Sequence, residues 1–118
     1  MTNDRTDRAD RLRELALALP GTVEVQHFER RAFRARRIFA TLPPAGNTAN
    51  ILLPPDEQVH WCGLLPEALS PVKNKWGAHG WTEILLARTD DADLSTLLRS
   101  AWLAAGGVTP ASGTRASP

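Results

Sequence analysis

Five arginines fall within the eight residues from Arg30 to Arg37: Arg30, Arg31, Arg34, Arg36 and Arg37. Guanidinium groups hold phosphate oxygens bidentately, so this cluster suits the phosphates of a nucleic acid. If Phe33 and Ala35 point to a core, Arg34 and Arg36 project from the opposite face of a strand. Arg30, Arg31 and Arg37 then sit at the flanking turns. The same composition also suits a solvated edge strand whose charges prevent edge-to-edge pairing. Glu29 is the one acid beside the run, which leaves more positive charge than edge protection needs.

A second chemical segment is Lys73-Asn74-Lys75-Trp76-Gly77-Ala78-His79-Gly80-Trp81. Lys73 and Lys75 supply cations for phosphate. Trp76 and Trp81 can stack on a ligand or wall it in, and His79 is a hydrogen-bond donor. The plainer reading has the two indoles anchoring a loop to a sheet, with the glycines allowing the turn. Both readings place the segment between two elements rather than inside one.

Other chemistries find little support. His27, His60, Cys62 and His79 match no zinc-ligand spacing, and no metal or other cofactor is expected. Cys62 falls on the inner side of a short helix, where a thiol behaves as a small hydrophobe. The chain contains no Gly-x-Ser-x-Gly elbow, P-loop or dinucleotide fingerprint. Glu83 is the carboxylate within a few residues of His79, but no spacing rule makes them an acid-base pair. A non-enzymatic protein is expected.

These segments need elements to hold them. Leu12, Leu15, Ala16 and Leu19 form one helical stripe, with Asp7 as its cap and Pro20-Gly21 as its stop. Alternation then predicts a strand over Thr22–Gln26, a short one over Phe33–Arg36, and a third through Ile38, Ala40 and Leu42. Arg36-Arg37 forms the tight turn between the last two. Asn50–Leu53 is a fourth strand, and Pro55-Asp56-Glu57 opens a short helix ended by Gly63 and Pro66. The stretch Ser70–Gly80 reads as loop and Trp81–Ala87 as a fifth strand. Asp90 or Asp91 caps a final helix carrying Leu94, Leu97, Leu98, Ala101, Trp102 and Ala105. The expected fold is α+β: an antiparallel sheet of about five strands, covered on one face by the N- and C-terminal helices.

The chain has 118 residues and a formal net charge of +1, fitting one domain over residues 7–105. Residues 1–6 read as loose, and residues 106–118 as a flexible tail of Gly, Pro, Ser and Thr. One cysteine, and no apolar run of roughly 18 residues, point to a cytoplasmic protein without a membrane span. The charge is uneven: residues 1–37 hold nine arginines and six acids, while 38–118 hold five basic and seven acidic residues. That excludes a uniformly basic coat and allows a basic edge.

The run Phe28–Thr41 resembles the basic hairpin of the MmcQ/YjbR family, and Pro71–Thr82 resembles its segment before the last strand, the Lys-Trp-Gly-x-x-Gly-Trp run being the most specific piece of the resemblance. The Leu19-Pro20-Gly21-Thr22-Val23-Glu24 segment and the Leu97–Trp102 helix also fit, so the resemblance spans roughly residues 10–105. It implies an α+β fold similar to bacterial frataxin (CyaY-like), a DNA-binding label and no established reaction. Two expectations follow. In the first, DNA phosphates meet Arg30, Arg31, Arg34, Arg36, Arg37, Lys73 and Lys75 with weak sequence specificity. In the second, a small anionic metabolite lies between the Arg hairpin and the Lys73–Trp81 loop, against Trp76, His79 and Trp81.

Overall fold

The computed structural model describes residues 4–109, with side chains from residue 8 onward. Its helices are α1 (Asp4–Leu17), α2 (Pro55–Leu64), α3 (Lys75–Ala78) and α4 (Asp91–Ala104). Its strands are β1 (Val23–His27), β2 (Arg30–Arg34), β3 (Ile38–Leu42), β4 (Thr48–Leu52), β5 (Leu69–Pro71) and β6 (Trp81–Leu85). All neighbouring strands pair antiparallel in the order β1-β2-β3-β4-β6-β5. The fold is therefore the expected α+β class, with six strands rather than five.

One face of this sheet is buried under α1 and α4. Leu12 and Ala16 of α1 and Leu94, Leu97, Leu98, Ala101 and Trp102 of α4 meet Phe33, Ala40, Ala49, Ile51 and Ile84 in one core. The helical stripes read from the sequence are the ones that pack on the core, with Leu15 and Leu19 partly buried and Leu19 just past the end of α1. Asp90 caps α4, its carboxylate accepting the Asp93 N–H at 2.8 Å. Arg8 and Arg11 of α1 both bond Asp91, at 2.6 and 3.0 Å, which clasps the two helices together. Arg8 and Arg11 hold the Asp91 carboxyl below its usual range, the Arg8 hydrogen bond contributing most.

Several expectations need correction. Asp7 does not cap α1, because the helix already begins at Asp4, inside the stretch read as loose. The sixth strand, β5, and the four-residue α3 lie wholly or largely in the stretch Ser70–Gly80 read as loop. Both are too short to show periodicity, and β5 contains a proline. Arg30 and Arg31 belong to β2 and not to a turn, whereas Ala35 and Arg36 lie in the turn and not in a strand.

The tight two-residue hairpin also moves: it is Phe28-Glu29, between His27 and Arg30. There Phe28 adopts φ 57°, left-handed backbone where Gly or Asn is the usual choice. Between β2 and β3 the register shifts, so that Phe33 opposes Ala40 but Arg34 opposes Ile38. Phe39 is left without a partner by this bulge and is fully buried in the core.

Of the segment read as a tail, Gly106 and Gly107 lie on the end of α4, and residues 110–118 fall outside the described residues. The Gly107 N–H donates to the Trp102 carbonyl at 2.8 Å, and a Cβ at Gly107 would overlap the Trp102 ring. No helix among the described residues is long and apolar enough to cross a membrane.

Candidate functional site

The sheet's second face lacks α1 and α4. Antiparallel register sets which residues it presents: Val23, Val25 and His27 stand beside Arg34, Ala32 and Arg30. Further across the sheet, Ala32, Thr41, Asn50 and Glu83 form one row. Alanine and threonine keep the floor low, so Arg30 can lie across it. Its Nε donates to Thr41 Oγ1 at 2.9 Å, and Nη2 donates to the Thr41 carbonyl at 3.4 Å. Burial pushes the Arg30 pKa down, while the carboxylates of Glu83 and Glu29 push it back up. A guanidinium stays cationic under such opposing influences.

The opposite wall is the connection from β5 to β6. Asn74 Oδ1 accepts the Trp76 N–H at 2.9 Å and caps α3. Both glycines of the Trp-Gly-x-x-Gly-Trp motif are required by close main-chain approach. A Cβ at Gly77 would overlap the Val72 carbonyl oxygen, and one at Gly80 would overlap that of Leu53. Gly80 also has φ +104°, a conformation L side chains rarely adopt. From α2, the buried Gln58 amide reaches the carbonyls of Gly77 and Trp81 at 3.0 and 3.1 Å and Thr82 Oγ1 at 3.1 Å. This pins the segment to the sheet.

The result is a concavity of about 260 Å³, broadly open to solvent, lined by His27, Arg30, Thr41, Asn50, Val72, Asn74, Trp76 and Trp81. Trp76 is 53% exposed, with Lys75 Nζ 5.9 Å from its ring centroid. A second depression of about 320 Å³ shares Asn50, Val72 and Asn74 and adds Pro71, Lys73 and Glu83. The two together make a trough across the open face. A larger concavity of about 370 Å³ lies on the helix side of the sheet. Its charged groups, Asp10, Glu29 and Arg31, are of mixed sign and no aromatic side chain lines it.

The structure divides the residues singled out in the sequence. It brings Arg30, Trp76 and Trp81 into one concavity and places Lys73 in the adjoining depression. Arg34 is exposed on the same open face. Arg31 points to the helix side, 3.8 Å from Glu24, which also pairs with Arg13 at 2.8 Å. Arg36 and Arg37 sit at the end of α4: both backbone N–H groups donate to the Ala105 carbonyl at 3.1 Å. Arg37 Nη2 donates to the Ala104 carbonyl at 2.7 Å. His79 is exposed at the end of α3, its ring 6.2 Å from that of Trp76.

His27, Thr41, Asn50 and Asn74 complete the groove without having been read from the sequence as its lining. The available signal was polar residues at alternating positions of β3 and β4, which only the register connects to Arg30. No group of three or more His, Cys, Asp or Glu side chains among the described residues is placed to hold a metal ion. Burial pushes the Cys62 thiol up, which makes it a poorer nucleophile.

Comparisons with known proteins agree with this architecture. The YjbR family model matches residues 17–104. The crystal structure of Deinococcus radiodurans protein DR2400, which carries the family-model domain DUF419, superposes with a TM-score of 0.70 at 21% identity. That match covers 80% of this chain and 75% of the other. No curated protein matches.

Proposed function

Starting from the fact that this chain belongs to the YjbR family, we propose that it is a non-enzymatic binding module for nucleic acid, held chiefly through phosphates with weak sequence specificity. The observation that carries the reading is the trough on the open sheet face, where Arg30, Lys73 and the indoles of Trp76 and Trp81 converge. Cations and exposed aromatic faces in one groove are the combination that nucleic-acid strands use. Arg34 and Lys75 extend the positive charge beyond its rim. The helix that stands at this groove, α3, has four residues, too few to lie along a major groove, which accords with weak sequence preference.

A small anionic metabolite in the same place is less well supported. Ligand pockets of that kind bury most of their occupant in roughly 300–1,000 Å³. The concavity here is about 260 Å³ and open, and it continues into a neighbouring depression. That geometry suits one unit of a longer chain.

The test is a salt series on a labelled 20-nucleotide strand and its duplex, read by fluorescence anisotropy. Log affinity should fall linearly with log salt, and the slope should shrink by roughly 0.7–0.9 for each phosphate contact removed. The Arg34→Ala/Lys73→Ala double variant should therefore show a shallower slope. Absence of any DNA or RNA binding at micromolar protein in low salt would overturn the proposal.

A further inference from the structure

We infer that the concavity takes an unpaired base, stacked on Trp76, so that the preferred ligand is a single strand rather than a duplex. This inference rests on the nucleic-acid reading above and narrows it to a ligand class.

Bases inside a duplex are covered on both faces by their neighbours, so an indole can stack only on a base that has left the helix. Trp76 offers such a face. It is the only indole of the groove that is more exposed than buried, and it sits on a helix of four residues too short to have a core of its own. The fold nonetheless holds that helix firmly through the Asn74 cap, the Gln58 hydrogen bonds and the close approach at Gly77. A fixed yet exposed indole is a poor way to complete a core and a good way to present a stacking surface.

The floor supplies the remaining contacts of an unpaired base. Asn50 carries a carboxamide of the kind that pairs with base edges, and Arg30 and His27 supply donors beside it. On the wall, Asn74 adds its amide N–H groups, its Oδ1 already accepting the Trp76 N–H. Phe28 adds an independent observation. It follows the lining residue His27, its ring stands 4.8 Å from the imidazole, and it is 88% exposed. Left-handed backbone is unfavourable for a bulky L-residue, and here it leaves an aromatic ring in solvent beside His27. One exposed ring thus stands on α3 in the lining, and a second lies on the β1–β2 hairpin next to the lining residue His27.

The experiment compares a 12-nucleotide mixed-sequence DNA strand, the RNA strand of that sequence, the DNA duplex, and a DNA strand carrying abasic sites, all at one low salt concentration. Wild type should bind a single strand at least about tenfold tighter than the duplex. Trp76→Ala should lose at least about fivefold on that strand, Trp76→Phe should retain most of the affinity, and the abasic strand should bind wild type and Trp76→Ala alike. Trp76 dependence with either DNA or RNA supports the inference, and the tighter strand identifies the ligand. Equal binding of duplex and single strand, with Trp76→Ala unchanged and the salt slope intact, overturns the inference while leaving phosphate binding in place. No binding of any probe removes both.

Discussion

The two ends of the arginine run put one residue type to different uses. At the β1–β2 end, Arg30 lies on the floor of an open trough and bonds only to Thr41 within it. At the β2–β3 end, Arg37 donates to the Ala104 carbonyl while the backbone of Arg36 and Arg37 satisfies that of Ala105. The last turn of a helix leaves carbonyls without intrahelical partners and carries a partial negative charge. Arg36 and Arg37 answer that need for α4. A cluster counted along the sequence is thus divided between the open face, where Arg30 and Arg34 stand, the helix side, where Arg31 meets Glu24, and a helix terminus.

The sharpest way to break this comparison is to attack the end assigned to folding. Trp102 is fully buried, its Nε1–H donates to the Pro20 carbonyl at 3.0 Å, and Gly107 closes over its ring. Trp102→Ala should cost about 3–5 kcal/mol in urea unfolding. The folded fraction should keep its affinity for nucleic acid, measured by anisotropy below the unfolding midpoint.

Exchanging the two arginines in turn is the direct comparison. Arg30→Ala should weaken binding and reduce the salt slope by roughly 0.7–0.9, while uncovering Thr41 at a cost near 1 kcal/mol. Arg37→Ala should do the reverse: a loss of at most about 1 kcal/mol from the end of α4, with affinity and slope unchanged. If Arg37→Ala lowers affinity as much as Arg30→Ala, the division between the ends is wrong.

The smallest effect separates two kinds of arginine tie. Arg37 bonds a carbonyl, which does not titrate, whereas Arg8 and Arg11 bond the Asp91 carboxylate. Asp91 has a folded pKa below its unfolded one, so its contribution is present above the usual carboxylate range and fades as pH falls through the folded value. The difference in Tm between wild type and Asp91→Asn should therefore be small at neutral pH and vanish in acid. The difference between wild type and Arg37→Ala should persist across the same range.

Local rules made much of this fold legible. Helical spacing identified the faces of α1 and α4 that pack on the core, and the pair Asp90-Asp91 marked the start of α4, whose cap is Asp90. What the sequence hid was short or non-local. The three residues of β5 and four of α3 lack a period, and the unpaired Phe39 breaks the alternation on which strand reading depends. The tight turn at Phe28-Glu29 has none of the Gly, Asn or Asp that signal one. In the trough, the Lys-Trp segment was visible as chemistry. Thr41 and Asn50 were not, because their place beneath Arg30 follows from strand register rather than from their neighbours in the chain.

The wall of the trough is fixed through its main chain, Gly77 against the Val72 carbonyl within it, Gly80 against the carbonyl of Leu53, and the Gly77 carbonyl accepting from the Gln58 amide. Contacts of this kind carry no information about the side chains nearby. Replacing Lys73, Lys75 or His79 should therefore leave in place the wall they stand on, as long as both glycines are kept. The chemistry presented by this wall and the geometry that holds it are thus set by different residues.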